Sequence, residues 1–307
     1  MIADIGGVVT GFCELAGVAA PVLTADGHGT RAAAVCFRGI SVTIEQFTEK
    51  RPDRVFLSAD LGVVPEGRTL EAWLVLMDAN LYLASAAAPT YSRHPVTHHA
   101  FLQWACDLAR VSVPDVYQRV MAMVDTASQW QEEQFVNDPS AAWVWFDRSF
   151  APRQPGASDW REAEARFNAL HAGVTAMLGG QDVASPAPGN VRSFTVDYRG
   201  VEVAVLQSAY EGFDAVCSMV RLYGAGSNAP AEVVFDLMEM NFHLANGNGD
   251  ERVVRRRASG DVLLLCSQPL QATTPEVLLA QGHLLAGIAQ HWQPDPAYVQ
   301  RSVLIEA

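Results

Sequence analysis

Apolar positions recur along this chain in two rhythms. Ile5, Val8, Val9, Phe12, Leu15 and Ala16 share one stripe at helical spacing, which predicts an opening helix over residues 2–19. Residues 31–37, 40–47 and 54–61 then read as strands, with Arg38-Gly39 as the turn between the first two. Residues 70–84 are apolar nearly all round, from Trp73 through Leu76 and Met77 to Leu83, so the pattern predicts a helix buried on more than one side. Two further strands, 90–97 and 101–108, precede a last helix that starts at Pro114 and ends near Trp130.

The same order then returns. A helix over 159–178 carries Asp159 and Glu162 as an expected capping box and Gly179-Gly180 as its stop. Strands at 193–198, 201–209 and 215–222 lead to a second all-round apolar helix, 231–245, containing Phe235 and Met238. Strands 252–257 and 261–268 and a helix from Pro275 to Trp292 close the series. Three matches fall at one offset of 161 positions: Phe37-Arg38-Gly39 with Tyr198-Arg199-Gly200, Leu76-Met77-Asp78-Ala79-Asn80 with Leu237-Met238-Glu239-Met240-Asn241, and Pro114-Asp115-Val116 with Pro275-Glu276-Val277.

The expected fold is therefore α+β: two tandem α-β-β-β-α-β-β-α domains, each an antiparallel sheet packed by helices. Their bounds are residues 1–135 and 158–307, joined by an aromatic-rich linker, 136–157, that holds Trp143, Trp145, Phe146 and Phe150. That linker is expected to pack across the copies rather than act as a solvated tether. Helices apolar on all sides need a second partner. Trp73, Met77, Phe235 and Met238 are accordingly expected at an inter-repeat interface that makes the chain an intramolecular pseudo-dimer, a monomer with two-fold pseudo-symmetry.

Charge narrows the partners. The 307 residues carry 21 basic and 34 acidic side chains, a net of −13, and nucleic-acid binding through phosphate neutralisation is not expected of such a field. Arg255-Arg256-Arg257 is the one dense basic run and reads as a strand edge protected against aggregation. No positive region stands before Ile5 and no apolar stretch is clean enough to span a bilayer, so neither a signal peptide nor membrane insertion is expected. Five widely spaced cysteines read as reduced, buried thiols of a cytoplasmic protein.

Reactive chemistry finds little purchase. The single lysine, Lys50, is followed by Arg51-Pro52, which rules out a phosphate-binding Gly-Lys-Ser/Thr, and Phe47 rather than serine stands three places before it. No His-Glu-x-x-His or Gly-x-Ser-x-Gly occurs, and His94, His98 and His99 have no carboxylate or thiol at ligand spacing along the chain. No catalytic residue, metal ligand or cofactor is expected. Asn80 and Asn241 are read as amides that satisfy backbone groups beside buried helices.

The Leu76-Met77-Asp78-Ala79-Asn80 helix after three strands, then two strands and a helix ending Ala127-Ser128-Gln129-Trp130, resembles the type III secretion chaperone family of the CesT or Tir-chaperone type. The second copy repeats the motifs as Leu237 to Asn241 and Ala289-Gln290-His291-Trp292, so two copies stand in tandem. The resemblance implies a non-enzymatic cytoplasmic protein that holds an extended segment of a secreted effector or other exported client. It points to Phe12, Val35, Phe37, Phe167, Phe194 and Val196 as client contacts. A regulatory or scaffold protein that uses the same fold without a secretion client is the alternative.

Overall fold

The computed structural model describes residues 4–27, 29–64, 66–67, 69–83, 88–132, 157–180, 183, 191–208, 215–223, 230–247 and 250–292. The linker aromatics Trp143, Trp145, Phe146 and Phe150 lie outside the described residues.

The first half runs α1 (Ile5–Ala16), β1 (Thr24–Ala25), β2 (Thr30–Phe37), β3 (Ile40–Phe47), β4 (Arg54–Gly62), α2 (Thr69–Tyr82), β5 (Thr90–Arg93), β6 (Ala100–Asp107) and α3 (Val113–Gln131). The second runs α4 (Ala157–Met177), β7 (Val191–Tyr198), β8 (Val201–Ser208), β9 (Ala215–Tyr223), α5 (Ala231–Asn246), β10 (Glu251–Arg256), β11 (Asp261–Pro269), a short 3-10 turn and α6 (Pro275–Trp292). Each half forms one antiparallel sheet. The first is ordered β1-β2-β3-β4-β6-β5, and the second, read in the same sense, β7-β8-β9-β11-β10. Apart from the added β1, the two orders are the same. β2 and β7 begin at Thr30 and Val191, 161 positions apart, and β6 and β11 at Ala100 and Asp261, again 161 apart.

Local chemistry sets the boundaries. The Asp4 carboxylate accepts from the Gly7 amide at 3.0 Å and caps α1, so the helix starts at Ile5 rather than Ile2. It ends at Gly17, which adopts the left-handed conformation with φ 67°. α4 begins at Ala157, two residues before the expected start at Asp159. Ser112 and Asp115 form a capping box at the start of α3. In the β2–β3 and β7–β8 hairpins the turn residues have positive φ, 50° and 81° at Arg38-Gly39 and 56° and 89° at Arg199-Gly200, the geometry that suits the twist of two adjoining strands. β5 stops at Arg93, short of the expected residue 97, because the chain turns back there: the amide of His98 donates to the carbonyl of His94.

Helices α1 and α3 cover one face of the first sheet, with Val8, Phe12, Val120 and Met123 against Val42, Ile44 and Leu57. α4 and α6 cover the corresponding face of the second, where Phe167, Leu170 and Val174 meet Phe194, Val196 and Val205. The largest core does not stop at the boundary between halves. Leu76, Met77 and Tyr91 belong to one cluster with Leu237, Met238 and Val253.

Candidate functional site

The seam between halves is built by exchange. α2 of the first half packs on β10 of the second, and α5 of the second packs on β5 of the first. Each all-round apolar helix thus has its own sheet on one side and the other half's edge strand on the other. Trp73, Met77 and Met238 are buried in the cluster that draws on both halves, and Phe235 is half-buried beneath the Arg93 guanidinium, 5.0 Å from its ring centroid.

Polar pairs fix this seam. Asp78 accepts two hydrogen bonds from Arg255 at 2.6 and 2.7 Å, and Glu239 pairs with Arg93. Arg54 meets Asp250 at 3.1 Å, and the Gln103 amide donates to Asn246 at 2.9 Å. Arg252 is buried, and its guanidinium donates to the carbonyls of Leu83, Ala88 and Pro89. The carbonyl end of α2 is a favourable place for that charge. The arginine run is thus not a plain solvent-facing edge. Arg255 is spent on the seam, and only Arg256 and Arg257 are exposed. Sequence reasoning missed these pairs, although one signal was present: Asp78 and Glu239 stand 161 apart inside the matched Leu-Met motif.

Asn80 and Asn241 do what their matched places imply. Asn80 donates to the Tyr91 carbonyl at 2.9 Å and accepts from the Tyr91 amide at 2.8 Å, tying α2 to β5. Asn241 does the same to Val253, at 2.9 and 2.6 Å, tying α5 to β10.

The histidines sit on the β5–β6 hairpin. His99 lies 3.1 Å from both oxygens of Asp60, a carboxylate that local spacing did not reveal. His94 accepts at Nδ1 from the amides of Val96 and Thr97, with its ring 4.8 Å from Phe242 of the other half. Burial lowers its pKa, with Asp60 opposing and His99 and His98 adding to the shift. Among the described residues no group of three His, Cys, Asp or Glu side chains is placed to hold a metal ion. Burial raises the thiols of Cys13, Cys106 and Cys266, which keeps them protonated and weak as nucleophiles. A cleft of about 320 Å³, open to solvent, lies between Leu61, Val63, Val64, Glu66, Trp130 and Gln131, with a single carboxylate and no nucleophile in its lining.

The outer edges differ from the seam. Thr24–Ala25 pairs with β2 on one side, and among the described residues no strand lies on its other side. On the outer side of β7, Val183 bridges Val196. Exposed apolar side chains include Leu15 and Val18 at the end of α1, Val22 just before β1, and Met177 at the end of α4. Leu15 and Met177 occupy matching places, 162 apart at the ends of α1 and α4. Five of the six side chains singled out as client contacts lie beneath this surface. Phe12, Val35, Phe167, Phe194 and Val196 are buried, and Phe37 is half-buried with its ring 5.5 Å from Phe12. They pack α1 on β2 and α4 on β7, and so support the outer surface from within.

No helix among the described residues is long and apolar enough to cross a membrane. Residues 35–131 match the model of the Tir chaperone protein (CesT) family. Two solved structures are similar to part of the chain. The HopA1-SchA chaperone-effector complex is 15% identical over 41% of this chain and 92% of that one, with a TM-score of 0.33. The ExsC-ExsE complex is 18% identical over 43% of this chain and 94% of that one, also with a TM-score of 0.33. No curated protein matches the chain.

Proposed function

We propose, on the footing that residues 35–131 are CesT-like, that the whole chain is a two-lobed binding protein of the type III secretion chaperone kind. Residues 1–135 and 158–307 form the lobes, residues 136–157 link them, and the α2–α5 seam makes them an intramolecular pseudo-dimer. The protein acts in the cytoplasm by binding an extended segment of an exported client, without turnover of a small molecule.

The match over residues 35–131 carries this reading. The geometry supports it. The inner sheet edges, β5 and β10, are each packed by a helix of the other half, whereas exposed Leu15, Val18, Val22 and Met177 stand at the ends of α1 and α4 and just before the outer strand β1. An extended segment can add to such an edge through its backbone while alternate side chains meet the apolar positions. The contacts of Phe12, Val35, Phe37, Phe167, Phe194 and Val196 with a client would then be made from below, by shaping the surface.

The test is calorimetry with N-terminal segments of secreted proteins from the same organism, against wild type and the variants Leu15→Asp and Met177→Asp. Binding by wild type and its loss in either variant is the expected result. If none of the segments binds, the scaffold reading replaces this one. If binding ignores both charges, the client surface lies elsewhere.

A further inference from the structure

The contacts that cross between halves are of two kinds. Asp78–Arg255 and Glu239–Arg93 are mutual: Glu239 stands 161 positions after Asp78 and Arg255 stands 162 after Arg93, so exchanging the halves turns each pair into the other. Such pairs would form equally well between two first halves or two second halves. The remaining polar contacts are one-sided. Arg54 meets Asp250, but the positions 161 away hold Ala215 and Pro89. Gln103 donates to Asn246, but the matching positions, 162 on and 161 back, hold Leu265 and Ser85. Arg252, 1% exposed, donates to carbonyls of the first half, and its counterpart in β5, 162 positions earlier as Arg93 is to Arg255, is Thr90.

We propose that these one-sided contacts make the seam selective. The first half pairs with a second half and rejects its own like, so that one chain closes into one unit with two unlike outer faces. In a pair of first halves Arg54 would face Pro89, and the carbonyls at 83, 88 and 89 would meet the short hydroxyl of Thr90, with one proton to donate, in place of a guanidinium, twice over. In a pair of second halves the Asp250 carboxylate would close against Ala215 and the Asn246 amide against Leu265. A polar group stranded at a packed seam is expensive, and each such loss shifts the pairing equilibrium by about tenfold or more. Discrimination arises by stranding the wrong partner's polar groups as much as by attracting the right one. The inference rests on the two-lobed reading above.

The experiment uses the full chain with a protease site placed in residues 136–157. Isotopically heavy and light preparations are cleaved, mixed, unfolded, refolded and weighed by native mass spectrometry. The expected species are pairs of one first and one second half, heavy and light freely mixed, with like pairs at least about tenfold rarer. Like pairs in statistical proportion overturn the inference and leave the two-lobed reading standing. Halves that do not pair at all overturn both. Where refolding is inefficient, exchange between the cleaved preparations under native conditions gives the same readout. The variant Arg54→Ala, Asn246→Leu, Arg252→Thr removes the one-sided contacts, and like pairs are expected to rise towards the statistical share. Unchanged selectivity in that variant also overturns the inference.

Discussion

Asn80 and Asn241 each close a ring with one backbone residue of a neighbouring strand, and both amides are fully buried. Truncation strands a backbone N–H and a carbonyl that water cannot reach. Asn80→Ala and Asn241→Ala are each expected to cost about 1–3 kcal/mol per stranded group, read as a lowered denaturation midpoint. His94 gives a pH prediction. Its Nδ1 accepts two backbone hydrogen bonds, so a proton there breaks the hairpin turn. Burial lowers the pKa of His94, and burial followed by the charge of His94 lowers that of His243, both from an ordinary value of 6.5. The folded state therefore resists a proton that the unfolded chain accepts. The stability these groups contribute is complete above about pH 6.5 and is lost as the pH falls towards their folded pKa values. Glu45 and Asp236, raised by burial, act in the opposite sense at lower pH. Denaturant midpoints from about pH 7.5 to about pH 5 should fall for wild type. They should fall less for His94→Asn, which offers an oxygen acceptor to the turn but cannot titrate.

Helix pairing within each half depends on a matched glycine. A Cβ at Gly11 in α1 would lie 2.9 Å from Cγ1 of Val113, and one at Gly173 in α4 would lie 2.5 Å from Cγ of Pro275. Both glycines, and both of the residues they touch, stand 162 positions apart, so the two halves use one device to bring the opening helix onto the start of the closing helix. Gly173→Ala is expected to cost about 1–3 kcal/mol through overpacking, because the obstructing atoms belong to a proline ring. Gly287 in α6 is the internal control: nothing lies within 4 Å of its Cβ position. Gly287→Ala should be neutral or stabilise by up to about 1 kcal/mol, since alanine is the better helix former. A pair of thermal melts that places both variants on the same side of wild type contradicts this packing.

The shared core sets how the whole molecule unfolds. Met77 and Met238 are buried in one cluster that draws on both halves. Met238→Ala is expected to cost about 2–5 kcal/mol. The halves should also unfold together, so that helix content by circular dichroism and tryptophan fluorescence give coincident transitions. Two separated transitions would show that the seam contributes little and that each half stands by itself.

Periodicity, turn residues and the 161-position offset sufficed to determine the α+β class, the order of elements and the matched roles of Asn80 and Asn241. These rest on local rules: helical stripes, positive-φ turns and proline at helix starts act over a few residues and leave a mark in the chain. The all-round apolar helices also announced that something must cover them. What covers them, and through which side chains, depended on residues far apart in sequence. Arg255 read as a solvated edge until β10 was seen beside α2 and Asp78. His99 had no partner until β4 brought Asp60 to it. Phe12 and Phe194, expected from the resemblance to touch a client, are buried where α1 and α4 cover the sheets. A charged or aromatic side chain carries the same letter whether it faces water or a neighbour. Only the tertiary structure decided which of the two it met, because burial and pairing are properties of the space between elements.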